Sequence, residues 1–124
     1  NCSGGALIIG SDTLLYRLVF NLVENAIRYS RPGSTVNVSI CDNDSHVFLR
    51  VEDQGPGIPK QYRESIFQPF FRLDKSRSRA YGGAGLGLAL VWEIAALHGG
   101  TVEVEASSEN GATMLTTLPK RTAA

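Results

Sequence analysis

Gly82-Gly83-Ala84-Gly85-Leu86-Gly87-Leu88 carries four glycines in seven residues, and an apolar run to Leu97, broken mainly by Glu93, follows directly. Leu86, Leu90, Ile94 and Leu97 recur in that run at helical spacing, which predicts a buried or half-buried helix. Glycines ahead of a helix let the backbone approach a ligand closely. They also leave the first helical N–H groups unpaired, and those groups with the helix dipole make an anion site. Two readings follow: a phosphate-binding turn that doubles as the hinge of a flexible loop, or a flexible connector that precedes a helix. Such a glycine pattern is weak by itself, so the choice turns on its company.

The chain has 124 residues and a formal net charge of zero. That length suits one domain with one ordinary core. The balanced charge offers no basic field for nucleic acid. Two cysteines, Cys2 and Cys41, have neither metal-type nor redox spacing, which fits reduced thiols in a cytosol rather than a disulfide framework. No apolar run is long enough to cross a bilayer and no signal peptide is visible. The first residue is Asn1 and the last are Thr122-Ala123-Ala124, as expected of a piece of a larger protein.

Outward from the glycine turn, the chain alternates strands and helices. Ala6 to Ile9 reads as a strand, and Ser11 or Asp12 can cap a helix that runs to about Tyr29. Leu15, Leu18, Val19, Leu22 and Ala26 share one side of that helix and are expected in the core. Asn21, Asn25 and Arg28 fall at i, i+4 and i+7 and form a polar stripe beside it, flanked by Tyr29. Arg31-Pro32-Gly33 ends the helix. Val36, Val38 and Ile40 alternate as a half-buried strand. The segment Asp42 to Ser45 is turn material and His46 to Val51 is the returning strand of a hairpin. Pro59 opens a short helix. After Phe67 to Arg72, the segment Leu73 to Tyr81 is polar and basic without a period, and reads as a mobile loop. Gly99 and Gly100 stop the second long helix. Two final strands cover Thr101 to Ala106 and Ala112 to Leu118. Helices interspersed among strands that pair mostly as neighbours predict a helical layer on one face of a sheet.

Four motifs in this order resemble the catalytic, ATP-binding domain of bacterial sensor histidine kinases, of the ATPase group that also holds DNA gyrase, a mismatch-repair ATPase and a heat-shock chaperone. They are Asn21 to Ala26, Asp53-Gln54-Gly55-Pro56-Gly57-Ile58, Phe67 to Arg72, and Gly83-Ala84-Gly85-Leu86-Gly87-Leu88. The resemblance runs from Asp12 to Pro119 and implies an α/β (α+β) fold. That fold is a two-layer sandwich of a mixed, mainly antiparallel sheet and about three helices, with the whole chain, 1–124, as a single domain. It implies ATP and Mg²⁺ as ligands. Asn25 would hold the metal, where a neutral amide oxygen suffices because phosphates supply most of the charge. Asn21 falls where ATP-hydrolysing relatives carry a glutamate base, which suits transfer to a side chain rather than to water. Arg28 replaces the family's usual lysine and would meet phosphate bidentately. Asn21, Asn25 and Arg28 are thus the catalytic candidates.

On the base side, Asp53 would accept from the adenine amine, a charged hydrogen bond worth on the order of 1.5–3 kcal/mol. Gly55, Gly57 and Ile58 would let the base approach the backbone. Tyr29, Phe70 and Thr113 complete the expected nucleotide contacts, although Gly111-Ala112-Thr113-Met114 only approximates the family's G-T-x-F. Gln54 stands where asparagine or threonine is commoner. In that company the phosphate reading of Gly83, Ala84, Gly85, Leu86, Gly87 and Leu88 prevails. Arg72, Lys75, Arg77 and Arg79 are either a solvated face or groups that fold onto phosphate or the partner domain. His98 and His46 read as structural and exposed, respectively.

The resemblance further implies phosphoryl transfer to a histidine on a dimerisation domain outside this chain, with a response regulator downstream. It implies a monomeric fragment of a homodimer, with this domain cytoplasmic and the whole protein anchored in the bacterial inner membrane. Two alternatives stay open: a nucleotide-binding regulatory module without transfer, and a serine kinase of the anti-sigma-factor type.

Overall fold

The computed structural model describes residues 12–69 and 87–120. The expected strand at Ala6 to Ile9, the basic segment through Arg72, Lys75, Arg77 and Arg79, Phe70, and Gly83, Ala84, Gly85 and Leu86 all lie outside the described residues. Helix α1 spans Asp12–Tyr29, and strands β1 (Asn37–Asp42) and β2 (His46–Glu52) follow. Two short 3₁₀ turns, Lys60–Tyr62 and Ser65–Phe67, stand where one short helix was expected. Helix α2 (Gly87–Leu97) then leads into β3 (Thr101–Ser108) and β4 (Gly111–Pro119).

The strands form one sheet in the order β1-β2-β4-β3, and all three pairings are antiparallel. Register sorts the two faces. Val51 pairs with Val38 and Met114, and Leu49 with Ile40 and Thr116. These rows, with Val102 and Leu118, face the helices, and Leu18, Leu22, Ala26, Val91, Ile94 and Ala95 close the core from above. This is the expected α/β sandwich, and the β1–β2 hairpin is as expected. Its turn is held by Asn43, whose Oδ1 accepts from the N–H groups of Ser45 and His46. No helix among the described residues is long and apolar enough to cross a membrane.

Three departures have physical causes. Val38 and Ile40 are 47% and 49% exposed because, among the described strands, β1 pairs only with β2 and so forms an edge of their sheet. In α2 the buried side is Ala89, Val91, Ile94 and Ala95, with buried His98 just past its end, while Leu97 is 69% exposed. A helix that is apolar nearly all round has no periodic signal to mark its inner face, and small Ala89 and Ala95 are what the crowded interface admits. Cys41, in β1, is disulfide-bonded, contrary to the reduced state expected from spacing, which carries no information about tertiary proximity.

The C-terminus of α2 follows the glycine logic. Gly99 adopts φ +76°, its N–H reaches Ala96 O at 3.0 Å, and the Gly100 N–H reaches Ala95 O at 2.8 Å. This crossed pair satisfies the last carbonyls of the helix. His98 adds a contact between Nδ1 and Ile94 O at 2.8 Å.

Thr116 is fully buried on the helix side of β4, and its Oγ1 has no hydrogen-bond partner among the described residues. Thr116→Val removes that unpaired hydroxyl at nearly constant volume. It is expected to stabilise the domain by about 1 kcal/mol in urea titration, and a lower unfolding midpoint would mean that the hydroxyl is bonded in solution. On the opposite face, Arg50 crosses β4 to grip Glu105 with Nε–Oε1 at 2.7 Å and Nη2–Oε2 at 2.8 Å. The hydrogen bonds from Arg50, aided by its charge, hold the Glu105 carboxyl below the usual range. A lowered folded-state pKa stabilises the fold above the ordinary carboxylate value, and that contribution is lost as pH falls through the lowered value. Wild type should therefore exceed Arg50→Met in stability at neutral pH. The gap should close below about pH 4 and shrink with added salt, because the pair is partly exposed.

Candidate nucleotide-binding site

The site is built where β2 ends. Val47, Leu49 and Val51 face the core in alternation, and the next residue in that series is Asp53, which puts a carboxylate at the rim of an apolar face. Asp53 is only 8% exposed. Its backbone continues the sheet, with its N–H donating to Ala112 O at 2.9 Å. Its Oδ1 accepts two backbone hydrogen bonds, from Gly55 N–H at 3.0 Å and Ala112 N–H at 3.1 Å. Both hydrogen bonds fall on Oδ1, which fixes the carboxylate plane and, among the described residues, leaves Oδ2 as an oriented acceptor.

Close backbone approach explains the two glycines. A Cβ on Gly55 would overlap the Tyr29 carbonyl at the end of α1, and one on Gly57 would overlap the Ser108 carbonyl at the end of β3. Gly57 also adopts φ +81°. Ile58 is gripped by Ser107, whose Oγ accepts from the Ile58 N–H at 2.7 Å and donates to its carbonyl at 3.3 Å. The loop from Asp53 to Ile58 is thus wedged between the end of α1 and the β3–β4 hairpin.

On the polar stripe of α1, Asn21 donates from Nδ2 to Arg17 O at 2.7 Å, one turn back. Its Oδ1 turns toward α2, where a Cβ on Gly87 would lie 3.2 Å away. The structure therefore brings the first asparagine and the last box glycine together. Asn25 and Tyr29 are half-buried. Arg28 is half-buried and stands 3.8 Å from Glu24 in a loose ion pair. Leu88 is partly buried against the core. Thr113 falls elsewhere: it pairs with Glu52 on the sheet face away from the helices, and the residue beside Asp53 is Ala112. Alternation along β4 decides this, since Ala112 and Met114 face inward. Phe67, from the third motif, is buried and packs on Trp92 with ring centroids 5.4 Å apart.

Residues to which the sequence analysis assigned no role in the site hold this arrangement. Gln54 accepts from the Thr35 N–H through Oε1 at 3.0 Å, and its own N–H reaches Ser30 Oγ at 3.3 Å. Arg31 and Ser107 bind backbone carbonyls or N–H groups far away in sequence. Short polar residues beside turns carry no long-range signal, so nothing in the chain marks these contacts in advance. Among the described residues no group of three or more His, Cys, Asp or Glu could hold a metal ion. A divalent cation here would take most of its ligands from bound phosphate and water.

A helical layer over an antiparallel sheet, with a rim aspartate set in a glycine loop beside an asparagine-bearing helix, defines a nucleotide-binding ATPase domain. Residues 10–122 match the family described as histidine kinase-, DNA gyrase B- and HSP90-like ATPase. Over 112 residues the chain is 45% identical to the sensor-like histidine kinase SenX3 of Mycobacterium tuberculosis, covering 90% of this chain and 27% of that protein. Among solved structures, the mycobacterial sensor histidine kinase MprB matches with TM-score 0.79 and 38% identity, over 92% of this chain and 75% of that one. Full-length ShkA in complex with AMPPNP matches with TM-score 0.81 and 30% identity, over 98% of this chain and 25% of that one. The chain belongs to the histidine kinase-, DNA gyrase B- and HSP90-like ATPase family, in the branch whose relatives are sensor histidine kinases. It spans little more than a quarter of the length of its curated relative.

The glycine packing is directly testable. Gly55→Ala forces the loop off the Tyr29 carbonyl and is expected to cost about 1–3 kcal/mol in stability. Backbone amide shifts should move at residues 53–58 more than elsewhere, and a variant as stable as wild type would show that the loop has room the structure denies it.

Proposed function

We propose that this domain binds Mg-ATP and transfers its γ-phosphoryl group to a histidine on the dimerisation domain of a two-component sensor kinase. The observation that carries the reading is the Asp53 carboxylate, buried at the sheet rim with Oδ1 held by two N–H groups and Oδ2 left as an acceptor. Adenine donates from its exocyclic amine at that edge and guanine does not, so a fixed acceptor selects the base. That a relative of the same fold is described in complex with AMPPNP supports the ligand class.

The chemistry asks little of this chain beyond placement. Asn25 would contribute an amide oxygen to a Mg²⁺ ion, which supplies charge neutralisation on the phosphates when bound. Arg28 would hold phosphate oxygens, and the N-terminus of α2 at Gly87 and Leu88 would face the phosphate chain. In the transfer the bond between the γ-phosphorus and the bridging oxygen breaks, ADP leaves, and a phosphorus–nitrogen bond forms to the imidazole. The imidazole proton goes to solvent. Asn21 occupies a position next to Gly87 with its amide engaged on Arg17, and it cannot serve as a base toward water. The single-domain organisation, the homodimeric whole, the response regulator that receives the phosphoryl group, and a cytoplasmic placement with an inner-membrane anchor all belong to this proposal.

The test is calorimetric binding of ADP and a non-hydrolysable ATP analogue, with and without Mg²⁺. Asp53→Asn should lose about tenfold or more in adenine-nucleotide affinity while remaining folded. Asn25→Ala should keep adenine binding but abolish the gain from Mg²⁺ and the transfer to an added histidine-bearing domain. Tight binding with no transfer to any such domain would instead make this a regulatory nucleotide-binding module.

A further inference from the structure

The residue that joins the three pieces of the base side is Arg31, just past the end of α1. Its guanidinium donates from Nη1 to the Gln54 carbonyl at 3.3 Å and from Nη2 to the Glu109 carbonyl at 2.8 Å. Gln54 lies in the loop that follows Asp53, and Glu109 lies in the β3–β4 turn, 78 positions along the chain from Arg31. Each of the other contacts joins only two pieces. Gly55 meets the Tyr29 carbonyl, Ser30 Oγ meets the Gln54 N–H, and Ser107 holds Ile58. Arg31 alone among these side chains reaches both the loop and the hairpin from the helix.

That position has a consequence for binding. Helix α1 carries Asn25 and Arg28, the phosphate end of the site, whereas Asp53 and the loop form the base end. A nucleotide that spans both ends needs their separation held, since a misplacement of about 1 Å is enough to weaken a multipoint contact. The carboxylate of Asp53 is itself bonded to Gly55 on one side of Gln54 and to Ala112 just beyond the β3–β4 turn. Both segments that orient the carboxylate are therefore the segments Arg31 ties together. A planar guanidinium with forked donors can meet two carbonyls at once, and a lysine ammonium on a flexible stem cannot hold them in the same geometry.

We infer that Arg31 is a positioning residue for the nucleotide: it fixes the Asp53 loop and the β3–β4 turn to the end of α1, and so sets the base end of the site against the phosphate end. The inference rests on the nucleotide-binding reading above. It assigns Arg31 no contact with the ligand.

The experiment is calorimetric titration of Mg-ADP into wild type, Arg31→Met and Arg31→Lys, with amide chemical shifts recorded for each. Arg50→Met serves as a control that removes a two-pronged bridge between β2 and β3 whose hydrogen bonds touch neither the loop nor the β3–β4 turn. Arg31→Met is expected to bind Mg-ADP about fivefold to tenfold more weakly, with shifts concentrated at residues 53–58 and 107–112. Arg31→Lys should fall between it and wild type. Arg50→Met should bind as wild type does even where its melting temperature falls, which separates positioning from general stability. If wild type binds Mg-ADP and both Arg31 variants bind it equally well, Arg31 has no positioning role and the inference is overturned. Folded wild type that binds no adenine nucleotide would overturn the nucleotide reading and this inference with it. Should Arg31→Met fail to fold, Arg31→Lys decides alone: a loss without a stability change supports the role, and wild-type affinity refutes it.

Discussion

Two backbone N–H groups converge on one oxygen of Asp53, and the loop after β2 and the start of β4 are organised around that pairing. A buried carboxylate is costly unless its lone pairs are met. Here one N–H comes from the glycine loop two residues on and the other from the start of β4, so meeting the charge also closes the loop against the sheet. Removing either segment would take away one of its two partners, so the carboxylate is structural as well as, in the proposed function, a recognition element. The apolar series Val47, Leu49 and Val51 delivers it to that place, because a strand that buries every second residue must bury the next in turn.

The functional division follows from the architecture. Helices α1 and α2 cross one face of the sheet and meet at Asn21 and Gly87. The polar stripe of α1 therefore lies along the seam between its own buried side and the start of α2. The base loop hangs from the sheet at the other end of the same helix. A ligand bound across the seam and the loop touches three separately built elements, each held by its own packing. Glycines recur where backbone meets backbone: Gly55 against Tyr29, Gly57 against Ser108, and Gly111 against the Asp53 carbonyl.

Much of this was legible in the chain. The β1–β2 hairpin, the extent of α1, the helix stop at Gly99 and the alternation of β3 and β4 all follow from local rules of period, turn chemistry and capping. Asp53, Gly55 and Gly57 could be singled out because the segment from Asp53 to Ile58 resembles the family's first glycine box. The inner face of α2 was not legible, since leucine, valine, isoleucine and alanine ring it on all sides. Nor was the placement of Thr113, because the rule that decides it is strand alternation anchored by Met114, and a one-residue slip reverses the answer. Val38 and Ile40 alternate like core residues, yet a strand pattern does not say which strand is at the edge.

What the amino-acid sequence determined by itself is the set of elements and the chemical groups they carry: an asparagine stripe on a helix, an aspartate after a strand, glycines at the turns. These depend on neighbours within a few residues, where backbone sterics and periodicity act. What only the tertiary structure decided is which distant groups meet. Arg31 reaching Glu109, Ser107 gripping Ile58, Gln54 holding Thr35 and Arg50 crossing β4 to Glu105 are all contacts between segments that sequence separates. Such contacts form because sheet order and helix packing bring the chain back on itself. Local propensity is silent about them because a polar side chain near a turn has many nearby partners to choose from, and only the fold leaves it with one.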